Sequence, residues 1–395
     1  MKFKNFPIYR IEWVTSSFLI GTALLSLTVV PWFLWTQFHL PAEAANKVHG
    51  WGFIWAMFVF YYYATGFGIT LGYHRLFSHI SFKAKWPVKV FVLLFGAASF
   101  ENSALDWSAD HRIHHKHVDE DEDPYDISKG FWYAHIGWIM FRREIEPPWD
   151  NVPDLMRDPL VRWQQKYYVL IAVTASFILP AFLGWLHAGA SGAICGFLIS
   201  GIARVTAVQH STFFINSLCH TVGNRPYSTN CSARDSGFMA LFTFGEGYHN
   251  YHHIFQYDYR NGIQWYQFDP TKWMIFALSW IGLTRNLKRC PQFAIEKAKL
   301  TMQFKYAEQK LSLQTSGHAQ LEAWKAKLAQ EYEHFNLVLN DWSSLRETWF
   351  AEKKQELLQK WEEASFRTRF QEIEYRLKMQ RKRLRLLTAQ VPSAA

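Results

Sequence analysis

Cysteine is scarce in this chain of 395 residues: Cys195, Cys219, Cys231 and Cys290 are its four copies, and none is paired in CxxC spacing. That excludes a disulfide framework and a thiolate metal site, and suits a reducing compartment. No carboxylate is repeated in ExxH spacing across the histidine clusters described below, which excludes the carboxylate di-iron site of helical bundles. Charge is nearly absent from four long apolar runs, where Arg204 is the exception. The basic N-terminal segment MKFKNFPIYR is followed by a run too long for a signal-peptide core, without a small-residue cleavage site, and reads as retained.

What the chain does have is aromatic side chains, histidine and basic charge. Phe, Trp and Tyr make up 18% of it, with 19 tryptophans, more than a soluble domain needs and consistent with rings anchored at membrane interfaces. The net charge of +9 is concentrated between and after the apolar runs, favouring membrane lipids with anionic head groups over nucleic acid as the partner.

A membrane helix needs about 20 apolar residues. Four segments qualify: Trp13 to Phe38, Trp51 to Tyr73, Tyr167 to His187 and Ser191 to Phe214. The connection between the first two carries one lysine, Lys47, and that between the last two, near His187 to Ala190, has no charge. The positive-inside rule therefore places both termini and the basic segments on the cytoplasmic side. The shorter runs Val88 to Phe100 and Trp273 to Leu283 are expected in the interface or beneath the catalytic region. Arg204 either faces protein or snorkels.

The division expected is a membrane domain over 1–290 and a charged helical tail over 291–395. From Pro291 to Pro392 there is no other proline and the only glycine is Gly317, while Leu321, Trp324, Leu328, Phe335, Leu339, Trp342, Leu345 and Trp349 recur at three- and four-residue steps. Such spacing predicts long amphipathic helices, as a packed structural tail, a hairpin, a coiled coil or a membrane-surface helix.

Three histidine clusters follow apolar segments: His74 and His79 in HRLFSH, His111, His114 and His115 in HRIHH, and His249, His252 and His253 in HNYHH. The topology brings all three to one face of the membrane. Offsets of three and four converge on one helical face, so each triplet can present imidazoles together. His74 and His79 lie about 140° apart on an α-helix and are expected to reach two sides of the site. Eight imidazoles are too many for one ion, and two transition-metal ions are the economical count. Imidazole suits iron, copper, zinc and nickel, so residue type does not choose the metal. His117 and His135 are candidates for support around the ligands, or structural residues.

The trio HRLFSH, HRIHHKH and GEGYHNYHH resembles the membrane fatty-acid desaturases, specifically the delta-9 acyl-CoA (stearoyl-CoA type) branch and its bacterial relatives. The similarity runs from about Trp51 to Leu287 and includes DEDPYD, KGFWYAHIGW and NSLCHTVGNRPY; the tail beyond about Pro291 is not covered.

The resemblance implies an all-α integral membrane protein with four transmembrane helices and a cytosolic helical cap. It implies two non-haem iron ions, with O2 as co-substrate. It nominates His220, in NSLCH, as a ninth ligand, and Asn216 as holding a metal-bound water. It places Asn102, Trp107, Asp110 and Arg142 near the acyl carrier, and Thr212 and Phe213 at the bend of an acyl tunnel. Tyr62 and Gly66 are candidates for its closed end, or membrane packing. Ala109 stands where animal relatives carry a basic residue and Glu101 where they usually carry glutamine, so acyl-CoA and acyl-lipid substrates both stay open.

The implied reaction places a cis double bond in a saturated long-chain acyl group, in a bacterial inner membrane or the endoplasmic reticulum. The chain has neither an HPGG haem motif nor a GxGxxG fingerprint, so electrons would come from an external carrier, a small haem protein or a ferredoxin with its reductase. Rival readings are a histidine-box hydroxylase or monooxygenase, a metal transporter or sensor, and a non-catalytic metal-binding or scaffold protein.

Overall fold

A computed structural model describes residues 10–44, 46–141, 149–313, 318–353 and 360–390. Arg142 lies outside the described residues, as do Lys2, Lys4 and Gly317. The protein is mostly helical and divides into two compact units, one formed by residues 1–224 and 231–289, the other by 225–230 and 290–395.

Among the described residues of the first unit, three helices are long and apolar enough to cross a membrane: Trp13–His39, Trp51–Ser78 and Tyr168–Thr221. The first is interrupted at Thr28, three residues before Pro31, whose ring and missing N–H break the preceding turn. The third is 54 residues long and, if straight, would reach about 80 Å, well over twice a hydrocarbon core. It is not straight. Ala188 and Gly189 leave helical geometry, Gly189 at φ 61°, and beyond them the chain doubles back. The two arms then touch backbone to backbone, Gly184 against Gly192 and Gly196 against Pro180, where a Cβ on any of these glycines would strike a carbonyl.

The outer faces of these helices expose Val14, Leu24, Trp32, Trp35, Phe60, Leu170, Phe182 and Trp185, an apolar and aromatic surface suited to lipid. Arg204 does not join it. Its side chain is fully buried, donating from Nη1 to the Ala98 carbonyl at 2.6 Å and from Nε to the Ser200 carbonyl at 3.0 Å, so it faces protein. The short apolar helix Trp86–Ala97 packs on the second span, with Gly68 against the Gly96 backbone and Gly72 against Val92. A small strand pair, Lys83–Ala84 with Thr284–Arg285, adds a two-stranded element that the all-α expectation did not include.

The second unit is a bundle of three helices, Gln292–Ser312, His318–Lys353 and Lys360–Gln390. Phe293, Leu300, Phe304, Phe335, Val338, Ile373, Leu377 and Leu384 form its core, and the Phe293 ring stacks on Trp342 with centroids 3.9 Å apart. The helical spacing of the tail thus resolves as a packed bundle.

Candidate metal centre and adjoining cavity

The second span carries its first two histidines on an unusual backbone. From Gly68 to Ser78 the helix is π-helical, and the His79 amide donates to the His74 carbonyl at 3.1 Å, an i to i−5 bond. Residues five apart then lie one turn apart, so His74 and His79 share a side, with ring centroids 4.7 Å apart. This corrects the α-helical expectation that they reach two sides of the site.

The second cluster lies on the helix Ala104–Lys116, which is N-capped by Ser103, whose Oγ accepts from the Asp106 amide and donates to its carboxylate. The third lies on the short helix His249–Ile254, and His220 on the last turn of the third span.

These elements gather nine histidines into two groups. His74, His79, His111, His115 and His252 form one; His114, His220, His249 and His253 form the other; within each, the candidate ligand nitrogens lie within 4.8 Å of one another. The HxxHH triplets do not stay together. His111 and His115, four apart, enter the first group while His114 enters the second; His249 and His253 enter the second while His252 enters the first.

The nitrogens face one another at short range. His74 and His252 Nε2 are 2.9 Å apart, His79 and His111 2.9 Å, His252 and His115 3.0 Å, His249 and His220 3.0 Å, His253 and His249 3.0 Å, and His114 and His253 3.3 Å. Two nitrogens about 2.1 Å from one ion are about 3.0 Å apart at a right angle and about 3.4 Å apart at the tetrahedral angle. Most of these separations match the right angle. Burial and the neighbouring imidazoles push His79, His111, His115, His249, His252 and His253 well below the usual histidine range, so these rings are neutral near pH 7. Neutral rings with facing lone pairs repel unless a cation lies between them, and the residues therefore fit two ions.

The other edge of several rings is held by partners that sequence reasoning missed. His114 Nδ1 lies 2.9 Å from both oxygens of Asp123, and His74 Nδ1 lies 2.9 Å from Glu246 Oε2. His111 Nδ1 meets the Tyr125 hydroxyl at 3.2 Å. His220 Nδ1 meets Ser232 Oγ at 2.6 Å, and that hydroxyl donates to Asp119. Such partners orient the ring and fix which nitrogen carries the lone pair.

Burial alone would push the Asp123 carboxyl up, yet His114 and the amides of Asp119 and Tyr125 hold it below the usual carboxylate range. Glu246 is likewise buried and is held low by Arg75 and His74; Arg75 also meets Asp269 at 3.1 Å. Gly245, at φ 100°, keeps this corner open, because a Cβ there would meet Asp269. The available signal was position: Arg75 follows His74, Asp119, Asp123 and Tyr125 lie just beyond HRIHH, and Glu246 lies three residues before His249.

Beside the two groups lies a cavity of about 1040 Å³, at the upper end for small-molecule sites. Its wall includes His74, His111 and His249 together with Leu19, Ile69, Phe100, Val169 and Phe213. Asn102, Trp107, Asp110, Thr212, Phe213 and Asn216 all line it. Tyr62 and Gly66 do not. The Phe244 ring fills the space in front of Gly66, and Tyr62 packs on the same ring while its hydroxyl meets Ser211 at 3.1 Å. His117 pairs with Glu120, and His135 with Ser217 and His210; neither belongs to either group.

Helices long and apolar enough to cross a membrane, two histidine groups that could hold metal and an adjoining cavity are the class of features the chain brings together. Residues 49–279, more than half the chain, match the family model described as fatty acid desaturase. The chain is 43% identical over 272 residues to a probable acyl-CoA desaturase of Schizosaccharomyces pombe, covering 68% of this chain and 53% of that one. It is 40% identical over 250 residues to stearoyl-CoA desaturase 5 of Bos taurus, covering 62% and 74%. It is 33% identical over 284 residues to the sn-1 stearoyl-lipid 9-desaturase of Anabaena variabilis, covering 71% and 94%. The chain belongs to the fatty acid desaturase family. It spans about half the length of the two yeast relatives it matches, 53% of one and 49% of the other.

Proposed function

We propose that this protein is an oxygen-dependent acyl-CoA desaturase that introduces a cis double bond, delta-9 by resemblance, into a saturated long-chain acyl group. The observation that carries this reading is the cavity whose apolar wall is continuous with His74, His111 and His249. Bound there, two iron ions would supply the O2-dependent oxidising power that no amino-acid side chain provides. The first five histidines would hold one ion; His114, His220, His249 and His253 would hold the other, with Asn216 in reach through a water.

The protein's own part is position and exclusion. Ile69, Trp107 and Phe213 would hold the chain against the centre so that one carbon pair is presented, and the apolar wall keeps bulk water away. Glu246, Asp123, Tyr125 and Ser232 hold the imidazoles in one tautomer and one orientation. For each turnover, two hydrogens leave the chain, and O2 with two external electrons and two protons becomes two waters. A separate electron carrier is required. The four apolar arms would cross the bilayer four times, placing the histidine helices as a cap on the cytoplasmic side.

An acyl-lipid substrate is the second reading, favoured by the near-complete coverage of the Anabaena variabilis relative. The test is lipid analysis, with double-bond localisation, of a host lacking its own desaturase and expressing this chain or His252→Ala. A cis-monounsaturated acid with the intact chain alone supports desaturation, and labelled stearoyl-CoA against labelled phospholipid in isolated membranes separates the carriers. Hydroxylated acids would move the protein to the hydroxylase reading.

A further inference from the structure

Glu101 stands in the cavity wall in a loop with two left-handed non-glycine residues on either side of it, Phe100 at φ 58° and Asn102 at φ 73°. Such backbone persists where the surroundings enforce it. The Trp107 indole donates to Glu101 Oε2 at 3.4 Å, and Thr212 lies beside the carboxyl. Oε1 is buried without a hydrogen-bond partner.

The cavity wall it shares also carries Asp106, Glu246, His74, His111 and His249. Glu101 and Asp106, the latter on the helix Ala104–Lys116, both bear electrostatically on the phenols of Tyr73 and Tyr168. Glu12 and Asp110 line the same cavity, and among the described lining residues there is no lysine or arginine. A carboxylate here would be a half-buried anion with one oxygen unpaired, and its hydration would draw water against the apolar part of the cavity wall formed by Leu19, Ile69, Phe100 and Phe213. Burial pushes this carboxyl up to about 8.

We propose that Glu101 works as a neutral carboxylic acid, a specificity-determining residue whose proton is required for an acyl chain to occupy the cavity and whose ionisation floods the channel and expels the chain. The proposal rests on the acyl-cavity reading above. Protonated, the side chain is a polar but uncharged part of the wall, with Trp107 and Thr212 on its oxygens. Ionised, it competes for water against the buried chain. Substrate affinity then follows the protonated fraction.

The test measures binding of radiolabelled stearoyl-CoA to the full-length protein in lipid nanodiscs from about pH 6 to about pH 10, beside desaturation kinetics over the same range. Wild-type affinity should weaken about tenfold per pH unit above about 8, with KM rising and kcat little changed. Glu101→Gln should bind with a flat profile at the low-pH wild-type level, and Glu101→Leu should also be flat; iron content equal to wild type confirms their folding. A flat wild-type profile, or the same loss of affinity in Glu101→Gln, overturns the proposal. Desaturation with a pH-independent KM defeats this inference and leaves the desaturase reading intact. Binding with the expected pH dependence but no double bond defeats that reading and leaves this inference intact, and no binding at any pH defeats both.

Discussion

Asp123 holds His114 from behind: both of its carboxylate oxygens lie 2.9 Å from the imidazole Nδ1, while His114 Nε2 faces His253 Nε2 at 3.3 Å. The ring is thereby oriented with Nε2 turned toward the other nitrogens of its group. Asp123→Asn should weaken the ion held there by about 10–100-fold, as loss of such a partner commonly does. Metal retention during titration with a chelator, read by elemental analysis, checks this; unchanged retention would show that Asp123 does not orient the ligand.

Metal content follows from the nine-nitrogen count. Protein purified under reducing conditions should hold two iron ions per chain, His252→Ala should hold fewer, and a chelator should abolish activity. Ferrous iron should restore it, whereas zinc should restore thermal stability without activity, because zinc has no redox chemistry. Recovery of activity with zinc would count against the oxidative reading.

Gly68 lies directly on the backbone of Phe95 and Gly96, with no room for a methyl group. Gly68→Ala must push the helix Trp86–Ala97 away from the second span, at a cost of about 1–3 kcal/mol. A lower midpoint in thermal unfolding in detergent is expected, and Gly52→Ala, where a Cβ meets nothing within 4 Å, is the control.

His135 supplies a pH dependence away from the metal groups. Burial, aided by His210, pushes it down to about 4. The unfolded chain, with histidine near its ordinary 6.5, therefore binds more protons than the folded protein as pH falls from about 6.5 to about 4. Stability is full above that window and is lost through it. His135→Gln should flatten the melting temperature across this interval; an unchanged slope would assign the acid sensitivity elsewhere.

The long apolar helices, the three boxes and the helical character of the tail were legible because each is carried by a local pattern: run length, i to i+4 spacing, absence of glycine and proline. The sharing of one side by His74 and His79 was not, since nothing in HRLFSH announces a π-helical backbone. The split of His114 from His111 and of His252 from His249 depends on how two helices meet. Glu246, Asp123 and Ser232 were illegible for the same reason: their roles arise from contacts across the fold, such as that of Arg75 with Glu246 and Asp269. Gly66 stayed ambiguous in the sequence because a missing side chain reads equally as open channel or as room for a packed ring such as Phe244.

The crossing of histidines between groups affects how the centre is assembled. The helices Ala104–Lys116 and His249–Ile254 each give ligands to both groups. An ion seated in either group would tie the same two helices together and lower the ordering entropy left for the other. Metal loading should therefore be cooperative, with half-filled molecules scarce, and a cell short of iron would hold a mixture of complete and empty proteins instead of a population of impaired ones.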